Sequence, residues 1–278
     1  MIAGAQRCAR AVIEYEGTAF AGSQYQPNLR TVQGELEEAL NRLTGERVRI
    51  HLAGRTDAGV HATGQVVAFC LPRRRRGENL GWRELRERMN ALLPPDLAVR
   101  SLRAAPRAFD PRRQAIARVY RYRIRTGGAR QPLDRHRTFE IGERLDTAAM
   151  RAAALELLGE RDFAALGSDS RGSTRRRLSA ITIARRGDLV EIRVTGNAFL
   201  RRMVRSIVAV LIEAGRGRLA PTRVAALLKA GERALAGRAA PARGLTLERV
   251  IYLNTKRSGQ GPEGRIGQTA ERTGEQAT

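Results

Sequence analysis

The chain has 278 residues, 42% of them hydrophobic and 28% charged, which suffices for one large or two ordinary domains and excludes a fibrous or membrane-spanning chain. Its two cysteines, Cys8 and Cys70, exclude a disulfide framework or a cysteine-rich zinc site and fit a reducing, cytoplasmic setting. Fifty-one basic residues against 28 acidic ones give a net charge of +23, which points to a polyanionic partner bound with counterion release.

In chain order, Met1 to Arg10 holds no apolar stretch of signal-peptide length, so export is not expected. A strand is expected at Ala11–Tyr15, then a helix at Val32–Leu43 with Thr31 as N-cap, Val32, Leu36, Leu40 and Leu43 on one stripe, and Gly45 past its end. Strands at Val48–Leu52 and Gln65–Cys70 follow. Next come a helix at Trp82–Leu92, stopped by Pro94-Pro95, and a strand at Leu97–Leu102. A strand at Val119–Ile124 opens a second series. It continues with a helix at Thr147–Leu158, capped by Asp146 and ended by Gly159, and strands at Ala180–Ala184 and Leu189–Val194 around the turn Arg186-Gly187-Asp188. Helices at Ala198–Ala214 and Thr222–Ala230 and a strand at Thr246–Leu253 close it.

Both series read β-α-β-β-α-β, the order of ferredoxin-like units. The expectation is an α+β fold of two such lobes, 1–105 and 106–254, each with a mostly antiparallel sheet and helices on one face. The lobes join around Pro106–Pro111 and leave a cleft between them. The tail 255–278 has almost no apolar residues and balances four basic against three acidic ones, so it is expected to be disordered.

The positive charge is nearly all arginine, lysine appearing only at Lys229 and Lys256. Guanidinium forks suit phosphates and stack on bases. The densest stretch, Arg100–Arg137, sets twelve arginines against Asp110 and Asp134. Inside it ARVYRYRIR alternates, with Arg118, Tyr120, Tyr122 and Ile124 on one side and Val119, Arg121, Arg123 and Arg125 on the other. That pattern describes either a base-stacking platform among phosphate contacts or a strand whose tyrosines face the core. The run Arg73–Arg76 falls on a loop.

The loop AGRTDAGVH, Ala53–His61, carries the most chemistry. Gly54 and Gly59 permit unusual backbone or close approach of a ligand. Between them lie Asp57 and, two residues earlier, Arg55. A neighbouring guanidinium favours an ionised carboxylate, and a desolvated one is a nucleophile or base. Asp57-Ala58-Gly59 equally reads as a plain turn. A two-metal nuclease would need several clustered carboxylates, and this loop offers one. None of His51, His61 and His136 stands at metal-ligand spacing.

AGRTDAGVHATGQVV resembles the active-site signature of the tRNA pseudouridine synthase A family (the TruA type). Further family-like stretches follow in order: Tyr15-Glu16-Gly17-Thr18 with Phe20, Arg30-Thr31-Val32-Gln33, Phe109-Asp110-Pro111-Arg112, Tyr120-Arg121-Tyr122, Phe199–Arg205 and Ala240–Leu245. The resemblance implies a homodimeric enzyme without cofactor or metal that isomerises uridine to pseudouridine at positions 38, 39 and 40 of the tRNA anticodon stem-loop. The alternative is a non-catalytic tRNA-binding protein on the same fold.

By that resemblance Asp57 is the nucleophile, Arg55 its partner and a hold on the flipped-out nucleotide, and Tyr120 the residue that stacks on the base and takes the C5 proton. Arg205 is a second arginine near the aspartate, Leu245 an apolar wall against the base, and Arg112 a substrate-binding residue. The sequence departs from the family at Ser23, where a tryptophan is usual, and after Asp162-Phe163.

Overall fold

The computed structural model describes residues 6–72, 80–167, 172–231 and 239–253. The run Arg73–Arg76 and the tail from Thr255 lie outside the described residues. The alternation Arg7–Tyr15 forms β1, with Ala9, Ala11, Ile13 and Tyr15 buried. Helix α1 (Val32–Thr44) starts where the Thr31 side chain accepts from the Gly34 N–H, and it ends where Gly45 turns left-handed at φ 70°. Strands β2 (His51–Leu52) and β3 (His61–Leu71) follow, then α2 (Trp82–Leu92) and β4 (Leu97–Ala104).

The second half runs β5 (Ala115–Thr126), β6 (Phe139–Ile141), α3 (Thr147–Leu155), β7 (Gly159–Asp162), β8 (Arg175–Arg186) and β9 (Leu189–Gly196). It ends with α4 (Met203–Gly215), α5 (Pro221–Ala230) and β10 (Leu245–Tyr252).

The fold is α+β, and its sheet is mostly antiparallel. It is one ten-stranded sheet whose path runs β4-β1-β3-β10-β5-β9-β8-β7, with β2 paired to β3 and β6 to β5, not the two sheets expected from the repeated order of elements. The link is a short parallel pairing of β3 with β10, Thr246 opposite His61 and Leu247 opposite Ala62. A two-residue register between segments some 185 positions apart leaves no periodic trace in a sequence. Around each half the order of connections nevertheless repeats: β4-β1-β3 with β2 on β3, then β10-β5-β9-β8.

Four local readings need correction. Helix α3 stops at Leu155, and Gly159 at φ 86° opens β7, an unexpected strand. Helix α4 starts at Met203 rather than Ala198, because Arg202 adopts φ 62° and ends the preceding turn. Only His51–Leu52 of the expected strand at Val48–Leu52 is paired. Cys8 stands opposite Cys70 in the β1–β3 register, and their sulfurs are bonded, the Cα atoms 3.9 Å apart; strand register, invisible in the cysteine count, makes the bridge.

A single apolar cluster runs through the whole molecule, and α4 is its central rod, with ten of thirteen residues buried. Such burial on nearly all sides fits a core helix rather than a surface one. In β5 the side carrying Tyr120, Tyr122 and Ile124 faces that cluster, so the core-facing reading of the alternation holds. No helix among the described residues is long and apolar enough to cross a membrane.

Candidate active site

The Asp57 loop is the link between β2 and β3, and it is fixed from several directions. Ala53 N–H donates to Val66 O at 2.8 Å, the Gln65 side chain donates to Gly54 O at 2.7 Å, and Val60 N–H closes a turn on Asp57 O at 3.1 Å. Ser23 and Thr56 bond reciprocally: Thr56 N–H to Ser23 Oγ at 2.8 Å, Ser23 N–H to Thr56 O at 3.1 Å. Ser23 is fully buried, and its hydroxyl pins the loop. The Tyr15 and Thr56 hydroxyls also meet at 2.8 Å. A Cβ on Gly17 would fall 2.1 Å from Val60 O, so glycine alone lets the chain after β1 lie against the loop.

These ties turn Asp57 inward. Its Oδ2 lies 3.3 Å from Arg205 Nη1 and its Oδ1 3.9 Å from Arg201 Nε, with the aspartate side chain 23% exposed. Arg205 projects from α4, donating Nε to Ala240 O at 2.6 Å while its own carbonyl accepts from Ala240 N–H at 3.1 Å. It is therefore aimed before any substrate arrives. The sequence pairing of Asp57 with Arg55 is not what the structure shows. Thr56 is buried between them, Arg55 faces solvent, and the counter-charge comes from 148 residues downstream.

Tyr120 lies on β5, edge-on to Phe199 with ring centroids 5.1 Å apart. A Cβ on Gly54 would be 4.0 Å from its hydroxyl, so the ring reaches the loop. That hydroxyl makes no hydrogen bond to the described residues. Burial, followed by the charges around it, Asp57 included, holds the phenol well above its ordinary range. Tyr120 is thus a neutral phenol at neutral pH. Tyr15 is pushed up to about 12 for the same first reason.

Leu245, the first residue of β10, is buried opposite Tyr122. Arg112 is exposed, its N–H bonded to Asp110 Oδ1 at 2.8 Å, and its side chain is not brought to Asp57. Arg201 came out of sequence reading only as part of the Phe199–Arg205 stretch.

A second residue that sequence reading missed is Arg118. It is buried without a carboxylate partner among the described residues. Its Nη2 donates to Ala53 O at 2.9 Å and Arg112 O at 2.7 Å, and its Nη1 to Asn197 O at 2.6 Å and Ala115 O at 3.3 Å. Burial pulls its guanidinium below the usual arginine value. One side chain thereby fastens the start of the Asp57 loop to the segments leading into β5 and α4. Its signal was available: the alternation of β5 places Arg118 on the core side with the tyrosines.

The family model for tRNA pseudouridine synthase matches residues 11–112 and 153–253. Relatives named tRNA pseudouridine synthase A include those of Geobacter sulfurreducens, 44% identical over 88% of this chain and 100% of its own length, and Myxococcus xanthus, 43% over 86% and 90%. The Thermotoga petrophila protein of that name is 41% identical over 87% of this chain and 98% of its own. The family model covers the Asp57 loop, α4 and β10, and the chain belongs to the tRNA pseudouridine synthase family, isomerases that convert uridine to pseudouridine.

Proposed function

We propose that this protein isomerises uridine to pseudouridine at positions 38, 39 and 40 of the tRNA anticodon stem-loop, with Asp57 as nucleophile on a flipped-out nucleotide. The observation that carries this reading is the convergence on one carboxylate of Arg205 and Arg201, with the unengaged Tyr120 hydroxyl reaching the same loop at Gly54, in a member of this family. Two guanidinium groups lie against this carboxylate in a partly dry site and hold its oxygens in place, as a nucleophile needs.

The carboxylate oxygen attacks the uridine, on the ring or at the anomeric carbon, and the glycosidic bond breaks. The uracil turns, C5 joins the sugar, the carboxylate is released and the C5 proton leaves. Tyr120, a neutral phenol, can accept that proton only while its own passes onward in the same step, and N1, which gave up its bond to the sugar, takes up the balancing proton. Arg55, exposed on the loop, and Arg112 are assigned to holding the RNA, and Leu245 to the wall against the base. The two repeats of strand order form the lobes, 1–105 and 106–254, and the nucleotide enters between them. The enzyme works as a cytoplasmic homodimer on tRNA.

Incubating the purified protein with unmodified tRNA and mapping the anticodon arm with carbodiimide tests the reaction and its positions. Asp57→Ala should abolish product while tRNA affinity stays within a few-fold. Turnover by that variant would remove the nucleophile assignment.

A further inference from the structure

An open pocket of about 390 Å³ adjoins the Asp57 loop, lined by Thr18, Gly59, Arg135, His136 and Arg243. We infer that it receives a backbone phosphate of the RNA next to the flipped-out nucleotide, an inference that rests on the function proposed above. Gly59 lies two residues past Asp57, so a group held here is within a nucleotide or so of the reacting uridine. The lining offers two guanidinium groups, an imidazole and a hydroxyl, and no phenylalanine, tyrosine or tryptophan ring. That is the chemistry of a sugar–phosphate site rather than a base site. Neither Arg135 nor Arg243 has a carboxylate partner among the described residues. Asp134, the nearest acid in sequence, is engaged by Arg125 at 2.6 Å.

The walls come from distant parts of the chain, and buried His61 ties them together. Its Nδ1 accepts from Gly17 N–H at 2.9 Å, beside Thr18, so its Nε2 carries the proton and donates to Arg243 O at 3.1 Å. Arg243 is braced further by its Nε on Thr138 O at 3.3 Å and by lying over the Phe139 ring at 5.6 Å. The basic groups are held before the RNA arrives, which spares ordering entropy on binding.

The test is the salt dependence of binding of an unmodified anticodon-arm RNA to the full chain. Each phosphate neutralised contributes about 1 to the slope of log K against log salt. The double variant Arg135→Ala with Arg243→Ala should lower the slope by about 1, because both arginines serve one phosphate. An unchanged slope overturns the inference, and so does a fall of about 2, which would mean two separate phosphates. Arg243→Lys should keep most of the slope, and Arg135→Ala with Arg243→Gln, which removes the same two charges, serves if alanine at Arg243 impairs folding.

RNAs carrying one neutral methylphosphonate at each flanking phosphate locate the contact. At one position the substitution should weaken the wild type and leave the double variant unaffected. Equal weakening of both proteins at every position overturns the pocket. Pseudouridine formation by the wild type on the same RNA is scored separately. Its absence removes the proposed function, while the slopes still judge the pocket.

Discussion

Arg118 offers the sharpest test of how the fold holds the site. Replacing it with methionine keeps much of the volume and deletes every donor. Ala53 O, whose bond to Arg118 is buried, would be left unsatisfied at a cost of about 1–3 kcal/mol. The carbonyls of Arg112 and Asn197 are part-buried and reachable by water, so each forfeits about 1 kcal/mol. Removing a buried charge returns part of its desolvation cost. The net loss expected is therefore about 2–4 kcal/mol, a large fraction of a typical domain's stability. Urea denaturation should show a lower midpoint at unchanged slope. Single-turnover pseudouridine formation, measured where the variant is still folded, should slow as well, because the freed carbonyl begins the Asp57 loop. Arg118→Lys should rescue less than half of either, since one ammonium cannot span four carbonyls. A methionine variant within about 0.5 kcal/mol of wild type would refute the assignment.

The other expectations concern charge. Arg205→Ala leaves Asp57 with Arg201 alone and frees Ala240 O, and single-turnover rates should fall by about a hundredfold, the scale for one preorganised electrostatic partner; an unaltered rate removes Arg205 from the site. His61 is held neutral by burial, which lowers its pKa in the fold. Its contribution to stability is complete above the unfolded value of about 6.5 and is lost as pH falls below it toward the folded pKa, so urea midpoints should drop between pH 7.5 and 5 and flatten in His61→Gln. Alanine at Arg121, Arg123 or Arg125 should leave the salt slope of tRNA binding unchanged. Alanine at exposed Arg103, Arg107 or Arg130 is where the slope should fall, and salt-dependent binding assays on both sets decide the matter.

The helices and the chemical loop were legible because local rules govern them. Thr31 and Gly45 bracket α1 by capping, and the pair Pro94-Pro95 leaves α2 no room to continue. The loop between β2 and β3 stands out because two glycines frame one acid. Its partner did not follow from spacing. Proximity in sequence favoured Arg55, but the Val60-to-Asp57 turn and the burial of Thr56 put the two side chains on different sides of the loop. Ser23 likewise looked like a lost tryptophan, and only the reciprocal bonds with Thr56 show what it does.

Charge shows the same division between amount and placement. The twelve arginines of Arg100–Arg137 announce a polyanion partner, yet the four on β5 do internal work. Arg118 is spent on carbonyls. Arg121 lies 3.7 Å from Glu191 and 3.6 Å from Glu248, Arg123 is 3.8 Å from Glu191, and Arg125 bonds Asp134 and Asp188 at 2.6 and 2.8 Å. Those acids come from β9, β10 and two turns, so only strand pairing brings them to the arginines. The excess left for RNA must therefore sit away from β5, the strand that looked most like a nucleic-acid platform. Arg135 and Arg243 meet that condition: both are exposed, without a carboxylate partner among the described residues, and on segments bordering the loop of Asp57.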